Sequence, residues 1–211
     1  NGYINVDNVK MSKSLGNFFT VRDVAEKYGY EAIRFLMISS QYRSPINYSV
    51  DIIEQCISSL SRLYNCRNSL DFALTNSSSE SSPEDDGIIS QLSKHIDEFI
   101  EAMDDDLNTA DAIASIFELV RDINIHVIEA NASKAVCRKA IEIFDELTGV
   151  LGLIYKRSSE NLDAEVEALI EARTAARKAK DWKEADRIRD ELKSMGIILE
   201  DTAQGVKWRR V

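Results

Sequence analysis

The 211-residue chain carries 26 Lys and Arg against 36 Asp and Glu, a formal net charge of −10, with 44% hydrophobic residues and two prolines. That apolar share supports a buried core and excludes wholesale disorder, and the length suits one large domain or two small ones. No run approaches the roughly 18 apolar residues of a membrane span, so no membrane partner is expected.

In chain order, the alternating run Tyr3, Ile4, Asn5, Val6 predicts a short strand, and a chain opening there on Asn1 reads as a piece of something longer. Lys10-Met11-Ser12-Lys13-Ser14-Leu15-Gly16-Asn17 follows. Two lysines three apart, interleaved with hydroxyls and released by a glycine, form a cationic loop that can close over a triphosphate and offset charge growing on it. Apolar spacing from Thr20 to Ile38 predicts helix, split in two by Gly29 and started by Thr20 with Asp23 three residues on. A polar turn with Pro45 comes next. Ser49 then caps a long helix whose stripe is Ile52, Ile53, Cys56, Ile57, Leu60, Leu63, Tyr64 and Leu70.

Residues 75–87 contain almost nothing apolar and read as a flexible surface loop. Amphipathic helices are expected at about 87–103, 109–130 and 132–154, with Asn108 as N-cap of the second. Short polar turns between them favour an antiparallel bundle. A polar linker at 157–163 precedes helices at about 164–179 and 182–195, then strand-like runs at Ile197–Leu199 and Val206–Arg210. Asp181 with Glu184 marks a helix start, and Gly196 sits where a helix end needs a left-handed residue. The expected fold is therefore mainly α: an antiparallel helical bundle followed by a small α/β unit of helical hairpin plus β-hairpin. The domain division is 1–48, 49–156 and 157–211.

Charge is uneven. Between Glu80 and Asp111 eleven acidic residues face Lys94 alone, whereas Arg173–Arg210 holds eleven Lys and Arg against seven Asp and Glu. An acidic protein with a basic end is compatible with nucleic-acid binding through that end. Cys56, Cys66 and Cys137 are odd in number and far apart, matching neither a disulfide framework nor a zinc pair, and reduced thiols point to the cytoplasm. His95 and His126 have no His or Cys at metal-ligand spacing. The acidic run Asp104–Asp106 fails the calcium-loop pattern, because the turn position is Thr109 rather than Gly and the twelfth is Ser115 rather than Glu.

Lys10 to Asn17, continued by Phe18-Phe19-Thr20-Val21-Arg22-Asp23, resembles the signature loop of class I aminoacyl-tRNA synthetases and the helix behind it. Tyr42–Ser49, Glu101–Thr109 and Ala176–Asp186 resemble segments of the cysteinyl-tRNA synthetase family within that class. The similarity runs through essentially the whole chain. It implies ATP-dependent activation of cysteine as an adenylate, then transfer to the terminal ribose of tRNA(Cys). Lys13 matches the second signature lysine, the catalytic group that would stabilise pyrophosphate-side charge. Lys10, Ser12 and Ser14 would complete the ATP-binding loop. The bundle would support the anticodon stem, and the small α/β unit would read the anticodon.

Trp182 offers an indole for base stacking, Arg177 and Asp186 a donor fork and an acceptor for base edges, and Asp201 lies at the expected hairpin turn. Trp208 is expected in the core, while Arg187, Arg189, Lys193, Arg209 and Arg210 are candidate phosphate contacts. The resemblance also implies magnesium with ATP and a zinc ion. The zinc ligands and the His-x-Gly-His nucleotide signature of the family are absent from this chain, so it is expected to be inactive alone. Two other readings remain open here: a mycothiol-pathway cysteine ligase, which the basic ending argues against, and a non-catalytic RNA-binding helical module.

Overall fold

The computed structural model describes residues 2–155, 160–202 and 205–210, and its chain falls into two compact units, Asn1–Ile154 and Tyr155–Val211. In the first, strand β1 (Ile4–Val6) pairs antiparallel with β2 (Val9–Lys10) and parallel with β3 (Ile46–Tyr48), giving the order β2-β1-β3. Parallel neighbours need a crossover. Here it is the lysine loop with helices α1 (Val21–Tyr28) and α2 (Tyr30–Ile38). Strand β3 falls in the stretch expected as a polar turn: Ile46 is buried, and the Ile46 amide donates to the Tyr3 carbonyl at 3.0 Å.

Capping explains where the helices begin. The Thr20 hydroxyl accepts from the Asp23 amide and the Asp23 carboxylate accepts from the Thr20 amide, a reciprocal pair that satisfies free donors of the first turn. Those Thr20 hydrogen bonds, the backbone one first, hold the Asp23 carboxyl below its ordinary value. Gly29 at φ 83°, ψ 152° separates α1 from α2. Ser49 caps α3 (Val50–Asn76), Asn108 caps α5 (Thr109–Asp122) and Ser133 caps α6 (Lys134–Val150). Helix α4 (Asp85–Asp104) packs against both α5 and α6.

The core of this unit is one cluster with Phe35 and Leu36 from α2, Ile53, Leu63 and Leu70 from α3, Leu92 and Phe99 from α4, Leu119 from α5, and Ile143 and Phe144 from α6. Each such side chain contributes about 1.5–3 kcal/mol on burial. Ile123–Glu129 continues α5 as a π-helix instead of the α-helix expected to Ala130, and keeps Ile123 and Val127 in the core.

The stretch read as a flexible loop is hydrogen-bonded. Helix α3 reaches Asn76, and the carbonyls of Ser79 and Glu80 accept from Lys134 and Ala135, the unpaired first amides of α6. Buried Asp85 accepts from the Ser133 hydroxyl at 2.7 Å and the Ser82 amide at 2.9 Å. Buried His95 bridges Glu98 at 2.9 Å and Asp122 at 3.1 Å, and Gln91 also donates to Asp122. Burial alone would raise the Asp122 carboxyl, but the hydrogen bonds from His95 and Gln91 outweigh it and hold the group below its usual range.

Glu31 links the two ends of this unit. It is 4% exposed, and its carboxylate accepts from the Tyr64 hydroxyl on α3 at 2.8 Å and from the Ile154 amide beyond α6 at 2.6 Å. The chain reaches that amide through left-handed Gly152 (φ 64°), where a Cβ would stand 2.9 Å from the Arg34 guanidinium.

In the second unit, α7 (Glu160–Lys178) and α8 (Trp182–Ser194) form a hairpin, followed by β4 (Ile197–Thr202) paired antiparallel with β5 (Gly205–Arg210). Residues 157–159 of the expected linker lie outside the described residues, and α7 begins at Glu160. Val166, Ile188, Leu192 and Ile197 form the core, with Leu199 and Trp208 packed against it. Gly196 at φ 75° ends α8 as its position suggests.

Two outcomes follow. Glu31→Ala leaves a hydroxyl and an amide buried without an acceptor and should lower unfolding free energy by about 2–4 kcal/mol, read from urea midpoints, with Glu31→Gln losing less. Burial raises the Cys56 thiol from 9.0 to about 11 and raises Cys137 as well. A thiol kept protonated by the fold stabilises it fully below the unfolded value, so stability should fall as pH rises from 9 toward 11. Urea titrations across that window check the sign.

Candidate functional site: the lysine loop and the exposed indole

The loop from Lys10 to Asn17 is built on the β1–β2 hairpin. Asp7 and Asn8 turn the hairpin in left-handed conformations at φ 49° and 65°. The Met11 amide then donates to the Ile4 carbonyl at 3.0 Å. Lys13–Leu15 form one 3₁₀ turn, ended by Gly16 at φ 70°. No side chain fits that backbone as easily as none. The Asn17 side chain closes the loop by accepting from the Ser12 amide at 2.8 Å and donating to the Lys10 carbonyl at 3.3 Å. Ser12 and Ser14 hydroxyls lie 2.6 Å apart.

Both lysines are exposed. The Lys10 ammonium lies 5.3 Å from the centre of the Tyr3 ring and that of Lys13 lies 5.2 Å from Phe18. Such exposed contacts are worth about 0.5–1 kcal/mol each. Lys10, Ser12, Lys13 and Ser14 therefore share one short loop, with both cations free to swing toward an anion. Sequence reasoning missed the clamp made by Asn17, although an amide directly after a left-handed glycine was its available signal.

The second set divides. Trp182 opens α8 and is 60% exposed. Asp186 stands one helical turn further on the same face and pairs with Arg189 at 3.2 Å. Arg177 is exposed near the end of α7, and the Lys180 amide closes the interhelical turn by donating to its carbonyl. Asp201 is inside the β4–β5 ladder opposite Val206, not in the turn, because β4 runs on to Thr202. Its side chain, like those of Arg209 and Arg210, lies outside the described residues. Trp208 is half-buried against the small core. Arg187 is bound by Glu184 at 2.7 Å and Glu191 at 2.8 Å, and its hydrogen bonds hold Glu184 below the usual carboxylate range. Among the described residues no group of three or more His, Cys, Asp or Glu comes together to hold a metal, so the residues present do not fit the implied zinc site.

Three family models match the chain. The tRNA synthetases class I (C) catalytic domain covers residues 1–58, the DALR domain covers 98–156 and the cysteinyl-tRNA ligase anticodon binding domain covers 159–209. A LeuRS–tRNA–LeuAMS ternary complex from Agrobacterium radiobacter K84 matches 72% of this chain and 22% of that chain, with a TM-score of 0.54 at 24% identity, which shows a shared fold alone. These matches make the chain similar to class I aminoacyl-tRNA synthetases, with the mainly helical fold seen in that complex. Its homologues within that class are cysteine–tRNA ligases. It is 47% identical to that of Clostridioides difficile strain 630, 48% to that of Caldicellulosiruptor saccharolyticus and 46% to that of Symbiobacterium thermophilum. Each match covers all of this chain and 45% of the relative, so the chain spans less than half the length of the proteins it resembles.

Asn17→Ala removes both ends of the clamp. Trypsin should then cut after Lys10 and Lys13 about tenfold faster than in the parent chain, read by mass spectrometry of timed digests.

Proposed function

We propose that this chain supplies the lysine loop and the tRNA-reading parts of a cysteine–tRNA ligase, which joins cysteine to tRNA(Cys) with ATP in the cytoplasm. The observation that carries the reading is the match to cysteine–tRNA ligases along the whole chain, with the two lysines exposed on a loop that can close. In the first step the cysteine carboxylate attacks the α-phosphorus of ATP, and the bond to the leaving pyrophosphate breaks. Charge accumulates on the pyrophosphate, and the Lys13 ammonium, lifted from Phe18, neutralises it there. Lys10, Ser12 and Ser14 bind the phosphates beside it. In the second step the terminal ribose hydroxyl of the tRNA takes the cysteinyl group and AMP leaves.

Trp182 stacks on an unpaired anticodon base. Arg177, Asp186 and Asp201 offer donors and acceptors to base edges, which proteins read mainly in splayed single-stranded loops. The match of 159–209 to an anticodon-binding model favours this over a small-molecule cysteine ligase, which handles no RNA. The 211 residues alone are proposed to be inactive, and pyrophosphate exchange by the purified chain would refute that.

Stacking is worth about 1–3 kcal/mol per base, so Trp182→Ala should weaken tRNA(Cys) binding roughly 5- to 150-fold. The ring is 60% exposed, so the unfolding midpoint should barely move. Equal, steeply salt-dependent binding of tRNA(Cys) and an anticodon-mutated version would overturn the anticodon assignment.

A further inference from the structure

The acidic run between α4 and α5 has a structural partner far away in sequence. The Tyr42 hydroxyl donates to Asp106 Oδ1 at 3.0 Å, and the Arg43 guanidinium meets Asp106 Oδ2 at 3.0 Å. Asp106 and Leu107 are both left-handed, at φ 54° and 56°, and neither is glycine. Backbone strain of this kind persists where surrounding contacts hold it. Residues 42 and 43 lie just before β3, and β3 contacts the residues that flank the lysine loop on both sides. On the upstream side, the Tyr48 carbonyl accepts from the Asp7 amide at 3.0 Å and the Asn47 side chain accepts from the Asn8 amide at 2.8 Å, which seats the hairpin turn. On the downstream side, the Tyr48 ring packs on Phe19 with centroids 4.6 Å apart.

We propose that Asp106 is a positioning residue for the Lys10–Asn17 loop, acting through Tyr42, Arg43 and strand β3. The role given to that loop rests on the ligase reading above. The contact joins the segment matched by the catalytic-domain model to the segment matched by the DALR model. Unlike the buried Glu31 link, it is open to solvent, with the side chains of Arg43 and Asp106 69% and 48% exposed. Exposed pairs are weak and easily remade. A ligand that moves the α4–α5 turn can therefore release β3 and change the order of the loop without unfolding the bundle.

Asp106→Asn tests this with the backbone spared, since Asn tolerates the left-handed region. In the 211-residue chain, amide hydrogen exchange at Asp7, Met11 and Ile46 should accelerate about three- to tenfold while that of Phe144 in the core stays unchanged. In the longer ligase, the same change should lower kcat for pyrophosphate exchange by a similar factor, with tRNA affinity within about twofold. If Asp106 acts through its two partners, adding Asp106→Asn to Tyr42→Phe/Arg43→Gln should cause no further loss. An additive loss, or unchanged exchange at those three amides, overturns the proposal. Absence of pyrophosphate exchange in the unsubstituted ligase would defeat the ligase reading instead, and the amide exchange rates would still decide whether Asp106 orders the loop.

Discussion

One buried carboxylate holds the larger unit in register. Glu31 sits on α2, within the segment that resembles a catalytic domain, and takes hydrogen bonds from α3 and from the chain just beyond α6. A carboxylate removed from water is costly unless its lone pairs are satisfied, so the three elements are stable together only when both donors reach it. That requirement accounts for the left-handed turn at Gly152 and Ile154, which brings an amide to the carboxylate at the point where α6 has ended. The lysine loop and the bundle are thereby parts of one unit.

Much of this architecture is legible residue by residue. Thr20, Ser49, Asn108 and Asp181 each cap the helix that the apolar spacing suggests, because a capping side chain and its amide are neighbours in sequence. Gly29 and Gly196 mark their breaks for the same local reason. Features that depend on distant partners are hidden. Ile46–Tyr48 becomes a strand only because β1 is present to pair with it, and the Ser-rich stretch after α3 is ordered by amides of α6. Nothing in the side-chain pattern of Ile123–Glu129 distinguishes a π-helix from the α-helix it continues. Lys13 stands out through the signature loop that the sequence resembles and Trp182 through its indole beside basic residues, whereas nothing in the acidic run marks Asp106, whose partners Tyr42 and Arg43 lie more than 60 positions away.

Charge behaves differently from its tally. The second unit is rich in cations, yet along α8 Arg187 is held by two glutamates and Arg189 by Asp186 and Asp190. Cations already engaged by neighbouring carboxylates exert little net field on a polyanion. If this unit reads an anticodon as proposed, discrimination would rest on the projecting indole and on hydrogen-bonding edges, which sense base identity, more than on bulk electrostatics.

The resting place of the two loop lysines has a chemical meaning of its own. Had each been parked against an aspartate, a nucleotide bound as proposed would have to displace an anion and then endure its repulsion. A phenyl or phenol face carries only a quadrupole. On the proposed reading, an ammonium that lifts away leaves behind a ring with no formal charge, whose face repels phosphates far less than a carboxylate would.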